Sequence, residues 1–193
     1  MRALADGRGV YASFDLYNYP WYLSMYYKLL RRCFEEGNPS TLYIKGVEYF
    51  FKLDRHQEGL ASIKRAADAG FERALYTYAM TCKIFWEDEE YFSRFTKESV
   101  GKIGKVVRTY RPGRNWAHNE AFVKKDDVFT STVVPLLYSC LFYPLLGQGR
   151  VRAYIEDSKA EDMCNRFFWI KEASLFLRDF KPCTGFPDFD ACQ

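Results

Sequence analysis

Residues 30–47 of this 193-residue chain recur, 33 positions later, as residues 63–80. Arg32 falls on Arg65, Gly37 on Gly70, Leu42 on Leu75 and Tyr43 on Tyr76. Leu30 on Ile63, Arg31 on Lys64, Glu35 on Asp68, Gly46 on Ala79 and Val47 on Met80 keep the chemistry similar. Each copy holds the end of one amphipathic segment, a glycine, and the start of a second segment. Just past a helix the backbone often turns left-handed, which glycine does at little steric cost, so Gly37 and Gly70 are expected at positive φ. Asn38 suits an N-cap and Pro39 a first helical position. Leu42, Gly46, Val47, Phe50 and Leu53 then follow the 3, 4, 7 spacing of a buried stripe over 39–53. Leu60, Ile63 and Ala67, with Ala66 beside them, do the same over 56–69. Gly46, Ala66, Ala67 and Ala79 are small enough to let neighbouring helices approach closely.

A period in the low thirties built from two helices is the tetratricopeptide-like pattern. The expected fold is therefore all-α, an antiparallel helix-pair array (a Sel- or tetratricopeptide-like right-handed superhelix) with an extra C-terminal helix. Helices are expected near 20–36, 39–53, 56–69 and 72–86. The segment 87–110 also reads as helical, with weak points at Gly101 and Gly104 and a stop at Pro112–Gly113. The charged stretch 111–127 reads as a loop, and a last helix runs from about Lys159 to Phe180. No strand pattern is evident. Three regions follow: an N-terminal remnant and linker at 1–18, repeats at 19–110, and a loop, apolar segment and final helix at 111–193.

Chemistry is scarce in the sequence. A net charge of +3 is too small to imply a polyanionic partner by itself. Six cysteines without a C-x-x-C pair, and no apolar leader near the N-terminus, point to buried thiols in a reducing compartment, cytoplasmic or nuclear. From Val128 to Gly149 there is no charge, but Pro135 and Pro144 would interrupt a spanning helix twice, so a packed segment is expected and no membrane partner. Gly101–Lys105 lacks the first glycine and the Ser or Thr of a phosphate loop. His118 and Glu120 with Pro182–Cys183 faintly echo a zinc deaminase, but Phe186 stands where the last cysteine should be. His56 and His118 are the only histidines, and neither stands in a recognisable triad or zinc-finger spacing. No catalytic residue, cofactor or metal is therefore expected.

Several strings resemble a group of plant F-box proteins whose C-terminal half is a Sel-type helical repeat region. They are A-S-F-D from Ala12, P-W at Pro20–Trp21, L-R-R-C at Leu30–Cys33, and G-N-P-S-T-L-Y-I-K-G-V-E-Y-F-F over Gly37–Phe51. E-G-L at Glu58–Leu60, K-R-A-A-D-A-G with A-L-Y-T-Y-A-M up to Met80, and C-N-R-F-F-W-I-K-E-A-S-L-F over Cys164–Phe176 complete the match. The resemblance implies the substrate-recruiting half of a cullin-type ubiquitin ligase receptor. In that family an F-box upstream docks the Skp adaptor. About 11 residues precede the match here, so the F-box is expected to be absent and the adaptor not to bind. Some relatives carry extra closing-segment cysteines that suggest zinc; Phe167 and Leu177 stand in their place, so none is expected to bind. The block 128–149 has no counterpart in the group.

The expected function is thus protein–protein interaction with an unidentified protein partner. If the first helix of each pair lines the binding face, Tyr43, Glu48, Tyr76, Lys83 and Trp86 are the candidate contacts. The dense cluster Tyr17, Tyr19, Trp21, Tyr22, Tyr26 and Tyr27 is read as packing, with a peptide groove as its functional alternative. Two other classes compete. Lys102, Lys105, Arg108, Arg111 and Arg114 recur every third residue and could track phosphates, making a nucleic-acid module of 102–114. An enzyme of unknown type would use a pocket around 111–150.

Overall fold

The repeat is visible in the backbone hydrogen bonds. In the computed structural model, which describes residues 9–16, 27–109, 117–133, 165–182 and 186, Gly37 N–H donates to the Phe34 carbonyl at 3.0 Å and Asn38 N–H to Cys33 at 2.8 Å. Thirty-three residues later Gly70 N–H donates to Ala67 at 2.9 Å and Phe71 N–H to Ala66 at 3.1 Å. Both turns are Schellman caps, in which the left-handed residue lets two N–H groups reach back to carbonyls the helix end leaves unpaired. Gly37 and Gly70 have φ of 71° and 85°, as expected. The second turn of each pair repeats as well. Asp54 and Glu87, also 33 apart, are left-handed at φ 56° and 61°. Arg55 N–H reaches Tyr49 at 3.0 Å and Asp88 N–H reaches Cys82 at 3.3 Å. Sequence matching missed this second turn because side chains there differ while the backbone does not.

Every regular element among the described residues is helical: α1 (Val10–Ser13), α2 (Tyr27–Glu35), α3 (Pro39–Phe51), α4 (His56–Asp68), α5 (Glu72–Trp86), α6 (Lys97–Thr109), α7 (Glu120–Thr132) and α8 (Asn165–Asp179), with a 3-10 turn at Glu90–Arg94. The expected helix near 20–36 is described only from Tyr27; residues 17–26, with most of the aromatic cluster, lie outside the described residues. The chain divides into two compact units. One is Met1–Tyr78 with Arg111–Asn119 and Lys181–Gln193; the other is Ala79–Tyr110 with Glu120–Phe180.

In the first unit α3 is the central element, with eleven of its thirteen residues buried. A helix covered on all sides must be apolar or internally satisfied nearly all round, not on one stripe. Leu53 lies past its end and is exposed, so the stripe stops at Phe50 and Phe51. The start of α3 is fixed by Asn38. Its Oδ1 accepts from the N–H groups of Ser40 (2.8 Å) and Thr41 (3.2 Å). Its Nδ2 donates to the carbonyls of Tyr11 (2.6 Å) and Phe14 (2.7 Å), which holds the α1 segment against the cap. The other end is closed by Asn119, whose N–H and Nδ2 donate to the carbonyls of Phe51 and Phe50 at 2.8 and 2.7 Å. Against α3 lies the amphipathic α4, burying Gly59, Ile63, Ala66 and Ala67. The two helices meet at paired glycines. A Cβ on Gly46 would stand 2.8 Å from the Gly59 carbonyl, and one on Gly59 would stand 2.5 Å from the Phe50 nitrogen.

The second unit corrects two sequence expectations. Helix does not run on from residue 87. The chain turns at Glu87, forms the 3-10 turn, becomes extended at Phe95 and restarts at Lys97. A reciprocal capping box sets the restart: Ser99 N–H donates to Thr96 Oγ1 and Thr96 N–H to Ser99 Oγ, both at 3.1 Å. Gly101 and Gly104 then lie inside α6 without breaking it. Nor is 111–127 all loop, because α7 begins at Glu120. Glu120 and Lys124 pair on its solvent side, while Phe122 and Phe129, seven apart, are buried. The final helix is described from Asn165; 159–164 lies outside the described residues, as does 134–149 of the uncharged block. Residues Phe168–Leu177 of α8 are all buried. Trp169 stacks on Phe92 with ring centroids 3.7 Å apart. A buried ion pair, Arg108 to Glu172 at 2.7 Å, joins α6 to α8.

Candidate partner-binding surface

The five residues singled out from sequence fall in different environments. Tyr43 and Tyr76 are fully buried, and Tyr43 Oη shares a 3.0 Å hydrogen bond with Thr77 Oγ1 while its ring lies 5.5 Å from that of Phe71. Repeat-matched tyrosines thus pack the array, since nearly all of α3 and residues 76–82 in the middle of α5 are buried. Glu48 is also buried, and its Oε2 accepts a 2.6 Å hydrogen bond from the N–H of Phe186. Lys83 is partly exposed and ion-paired with Glu89. Trp86 is 54% exposed.

Lys83 leads to a feature that the sequence did not reveal. Within the second unit a cavity of about 670 Å³ opens between the end of α5, α7 and the start of α8. Buried Ile84, Phe129, Trp169 and Ala173 line its base. Charged side chains stand around them: the Lys83–Glu89 pair, Glu87, Lys125 and Arg166. Lys125 Nζ donates to the Phe85 carbonyl at 3.3 Å, placing a cation at the negative end of α5. A buried apolar base with a charged rim is the arrangement that holds an apolar anchor from a partner while orienting it by polar contacts. The signal that could have located it was the Phe122–Phe129 spacing, which requires a helix where charge had favoured a loop.

The basic stripe comes apart in three dimensions. Lys102 pairs with Glu98 on the surface, which raises the lysine and lowers the carboxyl from their ordinary pKa values through a side-chain hydrogen bond. Arg108 points inward to Glu172. Arg111 and Arg114 lie outside the described residues. Among the described residues no three of His, Cys, Asp and Glu come together as metal ligands would, and no helix is long and apolar enough to cross a membrane. Cys33 and Cys82 are buried and not disulfide-bonded, and burial pushes the Cys33 thiol above its ordinary pKa. Leu177 is buried in α8, while Cys164 and Cys183 lie outside the described residues.

This fold and surface define a helical-repeat region of the kind that binds other proteins. Residues 14–105 match the family described as plant tetratrico peptide repeats. An F-box protein of Arabidopsis thaliana is 38% identical over 52 residues, covering 27% of this chain and 32% of that protein. Over residues 14–105 the chain is thus similar to plant tetratricopeptide-type repeats, and its match to the F-box protein spans about a third of that relative's length. No solved structure matches the chain.

Proposed function

We propose that this chain recruits a protein partner through the cleft of the second unit, with Trp86 and Lys83 at its approach, as the substrate-recruiting part of a cullin-type ubiquitin ligase receptor. One observation carries the reading. A large aromatic side chain, Trp86, is more than half exposed at the end of α5, one turn from Lys83 on the rim of a cleft with a buried apolar base. Exposed tryptophans beside apolar pockets are the usual anchors of protein interfaces. The F-box likeness supplies the ligase part of the proposal, and with it a cytoplasmic or nuclear setting. No catalytic group or cofactor is assigned.

The test replaces Trp86 by a photo-crosslinking phenylalanine analogue in the full chain. The protein that co-purifies with the wild type should be the one crosslinked. Trp86→Ala should weaken its capture by about 2 kcal/mol, the scale of an interface hot spot, with helix content unchanged. Retention of that partner by a folded Trp86→Ala/Val128→Asp chain would place the binding face elsewhere. The ligase role is read separately, as slower ubiquitin conjugation of the partner when Trp86→Ala replaces the wild type.

A further inference from the structure

In the first unit one residue 138 positions from Glu48, Phe186, is held by its main chain on α3 and by its ring on Phe34. Phe186 is buried, its ring meets Phe34 edge-on at 5.9 Å between centroids, and its N–H is captured by the Glu48 carboxylate at 2.6 Å. A carboxylate that accepts a main-chain N–H recognises any extended chain, because every residue except proline offers that donor. An aromatic socket adds the selectivity. A cation stands beside the socket: Lys45 Nζ lies 4.3 Å from the Phe34 ring and 5.1 Å from Tyr49, whereas Arg55, over Tyr49 at 4.1 Å, is already paired with Glu58. The segment 183–193 that carries Phe186 contains Asp188 and Asp190 and no lysine or arginine, so its charge suits that face.

We propose that Phe34, Lys45 and Glu48 form a receptor for an extended acidic peptide bearing a phenylalanine, and that the chain's own C-terminal segment occupies it as an internal ligand. Main-chain capture by a side chain, a ring socket and matching charge are the elements of peptide recognition. Tethering keeps the internal ligand at an effective concentration on the order of millimolar, so an outside peptide of the same chemistry binds only by displacing it. The site is independent of the Trp86 cleft, and its test reads a different event.

The probe is a fluorescein-labelled peptide with the sequence of residues 183–193, both cysteines replaced by serine. Anisotropy titrations use the full chain. Phe186→Ala in the chain empties the socket and should tighten peptide binding at least tenfold over wild type. A probe with alanine in place of the phenylalanine that corresponds to Phe186, its other phenylalanine kept, should not bind. Adding Glu48→Gln to the Phe186→Ala chain should weaken binding at least tenfold. In the otherwise wild-type chain, Glu48→Gln should speed hydrogen exchange at the Phe186 amide at least tenfold while amides of α4 keep their protection. A folded Phe186→Ala chain that binds the probe no tighter than wild type overturns the proposal. So does loss of the helical fold in that variant, which would make Phe186 a core residue rather than a ligand.

Discussion

Three glycines separate space from backbone geometry at the scale of single residues. Gly46 is tight: an added Cβ meets Ile63 Cγ1 at 2.7 Å and the Gly59 carbonyl at 2.8 Å. Gly46→Ala should therefore destabilise by about 3 kcal/mol, the upper range for overpacking, because helix backbone cannot swing aside. Gly37 has open space but a left-handed φ of 71°, so Gly37→Ala should cost only about 1–2 kcal/mol. Gly101 lies inside α6 with nothing within 4 Å, and Gly101→Ala should add about 0.5–1 kcal/mol. Urea midpoints of the three variants check the order, and equal shifts would remove the argument. Gly37 and Gly70 were legible as turns and Gly46 as a close-approach site. Gly59 was not, because its role depends on a partner helix rather than on its own neighbours in sequence. Cys33 gives a pH prediction. Burial holds its thiol protonated above the ordinary value of 9.0, whereas the unfolded thiol ionises near that value. The unfolded state thus loses its proton first, and stability falls as pH rises through 9. Cys33→Ser should flatten that fall in denaturation midpoints measured between pH 8 and 10.

Between elements, the described part of the second unit holds a buried charge pair where the first has close-packed glycines. Arg108 and Glu172 are each only 4% exposed and join α6 to α8. Removing one partner leaves a buried charge without its counter-ion, so Glu172→Gln should destabilise by about 3–5 kcal/mol. Arg108→Met with Glu172→Leu should recover most of that, since two apolar groups leave no charge to desolvate. A double-mutant cycle in urea measures it, and additive costs would mean the pair is not coupled. Sequence periodicity placed Arg108 in a stripe able to track phosphates because a three-residue spacing of cations looks like one face. The i-to-i+64 contact that turns it inward has no local signature. The opposite error hid α7, where five charges between Glu120 and Asp127 outweighed two phenylalanines at helical spacing. The repeat helices α3, α4 and α5 were legible to within two residues at each end, since caps, glycines and apolar spacing agreed there.

At the scale of the whole molecule, partner capture and polyanion binding differ in their response to salt. A module that tracked phosphates with several cations would lose about 10³-fold or more in affinity between 50 and 200 mM salt. With Lys102 paired and Arg108 buried, the described part of the stripe offers no such row. Capture of a protein partner at an apolar-based cleft should change less than tenfold over that range, as read by titration at four salt concentrations. A steep decline would return the nucleic-acid reading.

The sequence alone determined the class of this protein. Two copies of a helix, a glycine turn and a second helix can bury their apolar faces only by stacking, so period and turn chemistry sufficed to predict a tetratricopeptide-like array. Only the tertiary structure decided which faces remain exposed. Tyr43 and Tyr76 stand at matched positions and look alike in sequence, yet both are interior because α3 and the middle of α5 are buried nearly all round. Trp86 escapes only because α5 ends there. Glu48 reads as a surface charge until Phe186 reaches it across 138 residues. Repetition is a local property of a chain, whereas burial is set by distant segments whose return no local pattern records.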